Sequence, residues 1–404
     1  MPRRPDSSRA ILLTALLLGN VAAASQREVA QEPAAPQSVD ADQLAAAIGR
    51  LGDLDYAART DAARTIRRTA PAQAVPALLR TVAEHADGYV RYRALVLLTG
   101  FNDPRTKDAM RASLVSPNDR LRAVAYSYFE HHPDRGMVDG LMAALETEVG
   151  EFVRPSLVRT LAAHAGANGD PRLRQLLLRE AKRGEDYFRS AVIEALGDYQ
   201  ARYAFDTLVE AATLDGPLQD DAVLALGKLG DKRGLDVLAR LQRTAAPSMQ
   251  PTVATAICLL GSRCDAHIMY LAETLKFADS NGGFQELIRS AAAGLGALAV
   301  AGGHDEAVAS LFDIGIPSRD PTRSPVSLSL ATVALRNTPL LLQVLGGRPD
   351  RADAIALVGE GFDMLEEDLD KEAFFAAVRR AYWDAPDGSP TRQLTQTLIG
   401  KLDF

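Results

Sequence analysis

The sequence predicts an all-α fold, an α-solenoid (superhelix) of about nine to ten helix pairs. A short pattern returns along the chain: Asp119-Arg-Leu-Arg122, Glu151-Phe-Val-Arg154 and Asp186-Tyr-Phe-Arg189 each combine an acid, an apolar residue and an arginine. With a looser copy that ends at Arg91, the four arginines stand 31, 32 and 35 residues apart. A period of this size is typical of stacked repeats. The composition agrees, because 47% of the residues are hydrophobic and only 6% aromatic, and small or straight-chain apolar residues favour helices.

The first 24 residues have the features of a secretory signal. Three arginines precede an apolar run over 10–21 and the small residues 22–24. This order is that of a signal peptide, and the apolar run is short for a membrane span. We therefore expect residues 1–24 to be cleaved and the protein to be exported, either to the periplasm or out of the cell. Retention of the segment as an uncleaved anchor is the alternative.

The remaining chain is moderately acidic. Removal of residues 1–24 takes away three arginines and one aspartate, so the 45 basic and 52 acidic residues of the whole chain become 42 and 51. This balance argues against a nucleic-acid partner. No later stretch is long and apolar enough to span a membrane. Residues 25–39 are polar, contain proline and lack apolar periodicity, which predicts a disordered spacer.

Residues 119–147 illustrate one repeat. Asp119 stands where an N-cap belongs, and apolar residues then recur at intervals of three and four to make one helical stripe. Pro133 interrupts the pattern, and a second stripe covers 137–145. Neither helix can bury its stripe alone. Two helices side by side, stacked on the next pair, can do so.

The same order recurs further along the chain. Ala195-Leu-Gly197 and Ala225-Leu-Gly227 lie 30 residues apart, and glycine near a helix end favours a left-handed cap. The combined pattern resembles HEAT repeats, most closely the short repeats also found in phycobilisome lyases. The resemblance is clearest over 87–275. It implies a solenoid whose second helices line a concave face that holds partners, and it implies no particular activity.

After about residue 314 the period fails. A connection rich in proline and serine covers 316–325, after which helical stripes resume around 326–346, 352–367, 371–384 and 391–402. We therefore assign 40–313 to the HEAT-like solenoid and 314–404 to degenerate repeats and a C-terminal cap, which shields the last apolar face. A run of acidic residues in the cap is interpreted as a solvated face: Asp363, Glu366, Glu367, Asp368, Asp370 and Glu372. The whole stack is expected to be a curved rod on the order of 100 Å long.

Arginines and lysines are the main candidates for function. The repeated arginines at 91, 122, 154 and 189 are expected to pair with acidic turn residues of neighbouring repeats and to fix the stacking. Two second helices concentrate further basic residues, which predicts a stripe that binds an acidic protein partner or an anionic cell-envelope polymer, unless these are ordinary solvated helix faces. The helix nearer the N-terminus contributes Arg172, Arg174, Arg179, Lys182 and Arg183, and the one nearer the C-terminus contributes Lys232, Arg233, Arg240 and Arg243.

The two cysteines and six histidines do not form a recognisable metal-binding motif. Cys258 and Cys264 lie six residues apart, and an oxidising compartment permits a disulfide. The sequence leaves open whether they are bridged or are two small buried side chains. The histidines lack the spacing of metal ligands, and no nucleotide-binding or hydrolase motif occurs. We therefore assign no catalytic residue, no metal and no cofactor.

These observations predict a non-enzymatic scaffold or adaptor in the cell envelope that binds a protein partner on its concave face. One alternative is a lyase or maturation-factor role, as in the bilin-lyase relatives of the repeat. Such an enzyme should show a buried constellation of histidine, cysteine or aspartate. Another alternative is a structural subunit of an envelope assembly. The oligomeric state is not predicted.

Overall fold

A computed structural model describes residues 32–365 and 368–404, apart from the side chain of Asn168. The predicted signal peptide lies outside the described residues. Within them the chain forms 22 α-helices and three short 3-10 turns. Extended pairing among the described residues is limited to one isolated bridge between Gln37 and Thr69. The predicted all-α solenoid is confirmed.

The helices are α1 (Ala41–Arg50), α2 (Tyr56–Arg68), α3 (Pro71–Glu84), α4 (Gly88–Gly100), α5 (Thr106–Ser113), α6 (Asp119–His131), α7 (Val138–Thr147), α8 (Val153–Asn168), α9 (Pro171–Glu180), α10 (Asp186–Asp198), α11 (Phe205–Thr213), α12 (Gln219–Lys228), α13 (Gly234–Thr244), α14 (Gln250–Leu259), α15 (Cys264–Ser280), α16 (Gln285–Gly302), α17 (Asp305–Gly315), α18 (Arg323–Arg336), α19 (Thr338–Gly347), α20 (Arg351–Met364), α21 (Asp368–Asp384) and α22 (Pro390–Leu402).

The even-numbered helices α2 to α20 form one layer, because each packs against the next even-numbered helix. We call them the first helices, since they include those that open with the arginine pattern. The odd-numbered helices between them are the second helices of the repeats. Each second helix reverses the chain direction, so successive first helices run the same way and begin at the same edge of the layer.

Glycines allow neighbouring first helices to approach closely. A Cβ atom on Gly197 would lie 2.7 Å from the Cα of Ala225, and one on Gly227 would lie 2.5 Å from the Cα of Ala256. Gly197 and Gly227 were expected to favour left-handed caps, but both lie inside helices α10 and α12. The left-handed residue near the end of α12 is Gly230, with φ of 69°. The repeated glycine therefore serves packing between helices.

The repeated arginines hold the end of the preceding second helix. Arg122 donates from Nη1 to the carbonyl oxygen of Ser116 at 2.8 Å, and Arg154 donates from Nη1 to that of Leu145 at 3.3 Å. Cations are favourable where helix carbonyls lack partners. Arg122 also pairs with Glu148 at 2.8 Å, and Arg154 pairs with Glu180 at 3.5 Å. The predicted pairing with an acidic turn residue is thus confirmed for Arg122. Glu180, in contrast, is the last residue of α9, and Arg189 pairs with Asp186 of its own helix at 2.9 Å.

The same contact continues beyond the point where the sequence pattern fails. Arg323 donates to the carbonyl oxygen of Gly315 at 3.1 Å, and Arg351 donates to that of Leu345 at 3.1 Å. Helices α18 and α20 also continue the layer of first helices without a break. The repeats therefore do not stop near residue 314.

Helix α21 closes the solenoid into a ring. It packs against α4, α6 and α18, which brings the last helices onto the first. Glu372 pairs with Arg67 of α2 at 2.7 Å, with side chains only 3% and 7% exposed, and a Cβ on Gly100 would lie 2.7 Å from the carboxylate. Asp368 pairs with Arg93 of α4 at 3.1 Å. We call this contact of α21 with the N-terminal helices the seam.

Two predictions are wrong because of the seam. The expected open rod is a closed ring, and the acidic residues at the start of α21 are not simply a solvated face. Asp368 and Glu372 face arginines, and Asp370 pairs with Arg336 at 3.1 Å and contacts His131 at 3.4 Å. The cap therefore covers the N-terminal end of the solenoid as well as its own.

Residues 32–39, part of the predicted spacer, bind to the repeat body at the seam. The carboxylate of Glu32, fully buried, lies 2.7 Å from Arg68 and 2.9 Å from Arg379. The indole of Trp383 donates to the carbonyl oxygen of Pro33 at 3.1 Å. The sequence could not show this, because the partners in α21 lie about 350 residues away. The rest of the spacer lies outside the described residues.

Within 32–365 and 368–404, no single helix has the length and apolar character of a membrane span. One bent pair, α18 with α19, meets the length and composition test only when the two are taken together across a 118° bend.

Candidate binding cavity at the centre of the ring

The first helices surround a central cavity with two adjoining chambers. A chamber of about 600 Å³ lies between helices α6 to α12 on one side and α16 with α18 on the other. A second chamber, of about 540 Å³, lies between α4, α6, α8, α18 and the start of α21. Four residues line both chambers and so mark the passage between them: Glu130, His131, Arg159 and Arg336. The ring thus encloses a space large enough for a ligand or a protein segment.

This cavity is lined by first helices, whereas the resemblance implied that second helices face inward. The reason lies in the packing. Helices on the inside of a curved layer must approach one another more closely than those on the outside. The first helices can do so because Gly197 and Gly227 leave room for the neighbouring backbone.

One wall of the cavity carries a network of charges from successive repeats. Arg159 donates to Glu130 at 3.0 Å and to Asp198 at 2.9 Å. Lys228 donates to the other oxygen of Asp198 at 2.7 Å. The hydroxyl of Tyr199 donates to Glu130 at 2.6 Å. Each residue in this network supports its neighbour, so the wall has a fixed arrangement of charge.

The network changes the acidity of its members. Burial, followed by the nearby charge of Glu130, raises the pKa of Tyr199, so this hydroxyl stays a donor. Burial would raise the pKa of Asp198, but Lys228 and Arg159 outweigh it and the pKa is lowered. Charged partners therefore keep Asp198 ionised.

Glu194 differs from the other acids on this wall. Partial removal of water by the surrounding protein raises the pKa of Glu194, and the negative charge of Asp221 raises it further. Its side chain is exposed to the chamber, and it forms no ion pair with the described residues. A bound cation or hydrogen-bond donor would stabilise the ionised carboxylate here. Among the carboxylates that line this chamber, Glu130 and Asp198 have cationic partners, so Glu194 is the one left to accept from a ligand.

The opposite wall is largely apolar. Helices α16 and α18 contribute small and aliphatic side chains to the chamber: Ala293, Ala297, Val300, Ala301 and Leu328. Gly296 lies between them, where a Cβ would approach the Cβ of Ser329 to 3.2 Å. A ligand in the chamber would thus meet the charge network on one side and a mostly apolar wall on the other, with Arg336 at the end of that wall next to the passage.

Exposed apolar side chains mark the edge where the first helices begin. Leu214 is 57% exposed in the turn before α12, and Phe284 is 38% exposed directly before α16. We call the six that lie at the starts of α6, α8, α10, α12 and α16 the apolar rim: Val115, Val149, Phe152, Tyr187, Leu214 and Phe284. Because the first helices start at one edge, these side chains lie along that edge. Phe152 also lines the second chamber, which connects the rim to the cavity.

The predicted basic stripe lies elsewhere. Its residues belong to α9, α13 and the turns beside them, and none lines either chamber of the cavity. Several already have acidic partners in the chain: Arg172 with Asp139 and Asp170, Arg179 with Glu146 and Glu180, Lys182 with Glu210, Arg183 with Glu180, and Arg233 with Asp231. Arg174 lies over the ring of Tyr203. Lys232, Arg240 and Arg243 are exposed.

The two cysteines are joined in the structure. Cys258 and Cys264 form a disulfide that closes the turn between α14 and α15. His304, which sequence analysis did not connect to them, lies with its Nε2 atom 3.9 Å from the sulfur of Cys258. No local signal could have shown this contact, because 46 residues separate the two positions.

Comparison with known families identifies the repeat. Residues 41–130 match a family model described as HEAT repeats. The chain contains HEAT repeats. The arginine contacts and the continuous layer of first helices extend the same helix-pair arrangement as far as α20. A search of curated proteins found no match.

Several solved structures are similar to the chain at low identity. YibA of E. coli is 16% identical, with 55% of this chain and 82% of that chain covered and a TM-score of 0.40. A chain of the CpcE–CpcF complex of phycocyanin lyase from Nostoc is 19% identical, with coverages of 65% and 97% and a TM-score of 0.39. A chain of the complex of Kap95p with RanGDP is 12% identical, with coverages of 89% and 56% and a TM-score of 0.38. At these values we draw no functional conclusion from them.

Proposed function

We propose that this protein is an exported, non-enzymatic scaffold whose HEAT repeats bind a protein partner along the apolar rim, at the mouth of the cavity. The observation that carries the proposal is the exposure of large apolar side chains at the starts of the first helices α6, α8, α10, α12 and α16. Val115, Val149 and Phe152 are 87%, 90% and 85% exposed. Apolar side chains that cluster on a surface mark sites of interaction.

Charge at the same edge indicates the chemistry of the partner. The acids of the repeated pattern are more exposed than the arginines that they pair with: Asp119 is 64% exposed against 17% for Arg122, and Asp186 is 52% exposed against 25% for Arg189. Glu194 adds an acceptor inside the cavity. A partner that presents apolar and basic side chains fits this surface best. An acidic partner on the outer stripe of α9 and α13 is less favoured, because most of those cations are already paired.

Export is the compartment that the N-terminal sequence supports. The basic start, the apolar run and the small residues before Ser25 are the features of a signal peptide. N-terminal sequencing of the protein recovered from its native cells should therefore begin near Ser25. Recovery of a chain that still begins with Met1 would reject the cleaved signal.

The binding site can be tested by crosslinking in cells. A photoreactive amino acid at Tyr187 of the rim, which is 48% exposed, should capture a partner. In the chain that carries this probe, the double change Val149→Ser with Phe152→Ser should reduce capture at least about tenfold, since it removes two exposed apolar contacts. Met269 provides the matched control, because it is 64% exposed on the second helix α15. Met269→Ser should leave capture unchanged.

The outer stripe is the competing site in the same experiment. Arg179→Glu with Arg240→Glu should not change capture at the rim. Loss of capture in this variant, with full capture in the rim variant, would move the site to the second helices and reject the rim.

The lyase-like alternative has one feature in its favour, the proximity of His304 to Cys258. Neither His304 nor the disulfide of Cys258 with Cys264 lines either chamber of the central cavity. We therefore do not include catalysis in the proposed function.

A further inference from the structure

Three metal-ligating side chains meet where α14, α15 and α17 come together. The ligand atoms of Cys258, Cys264 and His304 all lie within 4.8 Å of one another. Cys258 is 2% exposed, while Cys264 and His304 are half-buried. Cys258 is thus held inside the protein, whereas Cys264 and His304 can be reached from the solvent.

The backbone around these residues is shaped to bring them together. Cys258 is next to the last residue of α14 and Cys264 is the first residue of α15. The turn between them uses left-handed backbone at Gly261 and Arg263, with φ of 79° and 52°. Arginine adopts this conformation at a cost. The turn therefore favours a specific placement of the two sulfur atoms.

Independent features place the histidine. His304 follows Gly303, which is left-handed with φ of 68° and caps the end of α16. A Cβ on Gly302 would lie 2.5 Å from the Cδ2 atom of His304 and 2.8 Å from its Nε2 atom. Only glycine at position 302 leaves room for the imidazole in this position, with its Nε2 atom toward the sulfur of Cys258.

We propose that Cys258, Cys264 and His304 form a redox-controlled metal site, which binds one Cu(I) ion when the disulfide is reduced. Soft thiolate ligands select Cu(I), and imidazole suits copper as well. Two thiolates and one neutral imidazole make a three-coordinate set, which Cu(I) accepts readily. Zn²⁺ would need a fourth ligand, such as water, to complete its preferred tetrahedron.

The redox step is a two-electron exchange. A dithiol reductant gives two electrons and two protons to the disulfide of Cys258 and Cys264 and is itself oxidised to a disulfide, leaving two free thiols in the protein. Cu(I) then replaces the two thiol protons, which are released to solvent. Oxidation to the disulfide removes both sulfur ligands, so the oxidised protein does not hold the ion.

The test uses the mature chain, purified and reduced with a dithiol that is then removed without oxygen. Cu(I), supplied as its bicinchoninate complex, should transfer to the protein at one ion per chain and produce the ultraviolet absorption of a Cu(I)–thiolate. The oxidised chain should take up none. The signal is unambiguous because the sequence has only two cysteines.

Variants identify the ligands. Cys258→Ser with Cys264→Ser should abolish uptake, and His304→Ala should weaken Cu(I) binding about tenfold or more. His267→Ala is the matched control, since this histidine lies one turn beyond Cys264 on α15 but outside the cluster, and it should bind like the unchanged chain. Far-ultraviolet circular dichroism of each variant checks that the helices are retained.

Three outcomes would overturn the proposal. They are no uptake by the reduced chain, equal uptake by the double cysteine variant, and unchanged affinity in His304→Ala. Prevention of Cu(I) loading by an equal concentration of Zn²⁺ would overturn the assignment of Cu(I).

Discussion

The contacts between consecutive repeats and the seam that closes the ring use different chemistry. Between repeats, small residues such as Gly227 and Ala256 let apolar helix faces meet. Ion pairs between repeats keep one member partly exposed, as in Arg159 with Glu130, whose side chains are 22% and 4% exposed. At the seam both members of a pair are buried, as in Arg67 with Glu372. Apolar burial has no preferred direction and can be repeated with many neighbours. A buried charge needs one specific partner, because an unpaired one is costly. Apolar packing therefore stacks the repeats, and buried ion pairs determine which helices meet at the seam.

The largest effect is expected from removal of one seam charge. Glu372→Gln leaves the guanidinium of Arg67 buried without its counter-charge, and breaking a buried ion pair costs about 3–5 kcal/mol. Trp383, the single tryptophan of the chain, lies on α21 and contacts Pro33. Its fluorescence during urea denaturation should show that the seam opens at a lower urea concentration than in the unchanged protein.

A surface pair provides the control. Glu273→Gln breaks the exposed pair with Lys276, whose side chains are 65% and 56% exposed, so it should change stability by less than about 1 kcal/mol. If Glu372→Gln behaves like this control, burial of charge does not hold the seam.

A change between repeats should have a smaller effect. Gly227→Ala places a Cβ against the backbone of Ala256, and overpacking of this kind costs about 1–3 kcal/mol. The control is Gly140→Ala on α7, where a Cβ would meet nothing within 4 Å. That change should stabilise the helix by about 0.5–1 kcal/mol. Thermal unfolding followed by circular dichroism should move in opposite directions for the two variants, and a stabilising Gly227→Ala would refute the close-packing role.

The smallest effect is a pH dependence that differs in sign between the two regions. The hydrogen bond to Asp370 raises the pKa of His131 at the seam, with a further contribution from Glu130 and opposition from Arg336. Its stabilising effect is complete below the unfolded pKa of about 6.5 and is lost as the pH rises through the folded value. His131 is 42% exposed, so the effect should stay below about 1 kcal/mol.

A buried histidine within the repeats should behave in the opposite way. Burial lowers the pKa of His164 on α8. The neutral histidine therefore costs the folded protein nothing above the unfolded pKa, and the folded protein loses stability as the pH falls and this histidine must become charged. The urea midpoint should be measured from about pH 5 to 8 in the unchanged protein and in His131→Gln and His164→Gln. The change of the midpoint with pH should differ from that of the unchanged protein in opposite directions in the two variants. Deviations of the same sign would contradict these environments.

The repeats were predictable because their signals are local. The stripes of α6 and α7 lie within one stretch of about 30 residues, and periodicity alone identifies them. The continuation beyond residue 314 also had a signal, since Asp320-Pro-Thr-Arg323 keeps the acid and the arginine and loses only the apolar residue. The structure shows that the arginine is the part that matters, because Arg323 makes the same contact with the preceding helix.

The seam and the cavity were not predictable in the same way. Arg67 and Glu372 are 305 residues apart, and each resembles an ordinary surface charge when its own helix is considered. The cavity charges had a partial signal, since Arg159, Asp198 and Lys228 each lie on a first helix. Nothing in one sequence shows that α16 and α18 face them across the ring, because that depends on the curvature summed over many repeats.

Closure of the ring also restricts how this protein can evolve. In an open array each repeat meets only its neighbours, so duplication or loss of a repeat changes the length and little else. Here an additional helix pair between α12 and α14 would displace α21 from α4 and separate Glu372 from Arg67. The seam thus constrains the number of repeats. We expect this protein to tolerate substitutions within its repeats better than the gain or loss of a repeat.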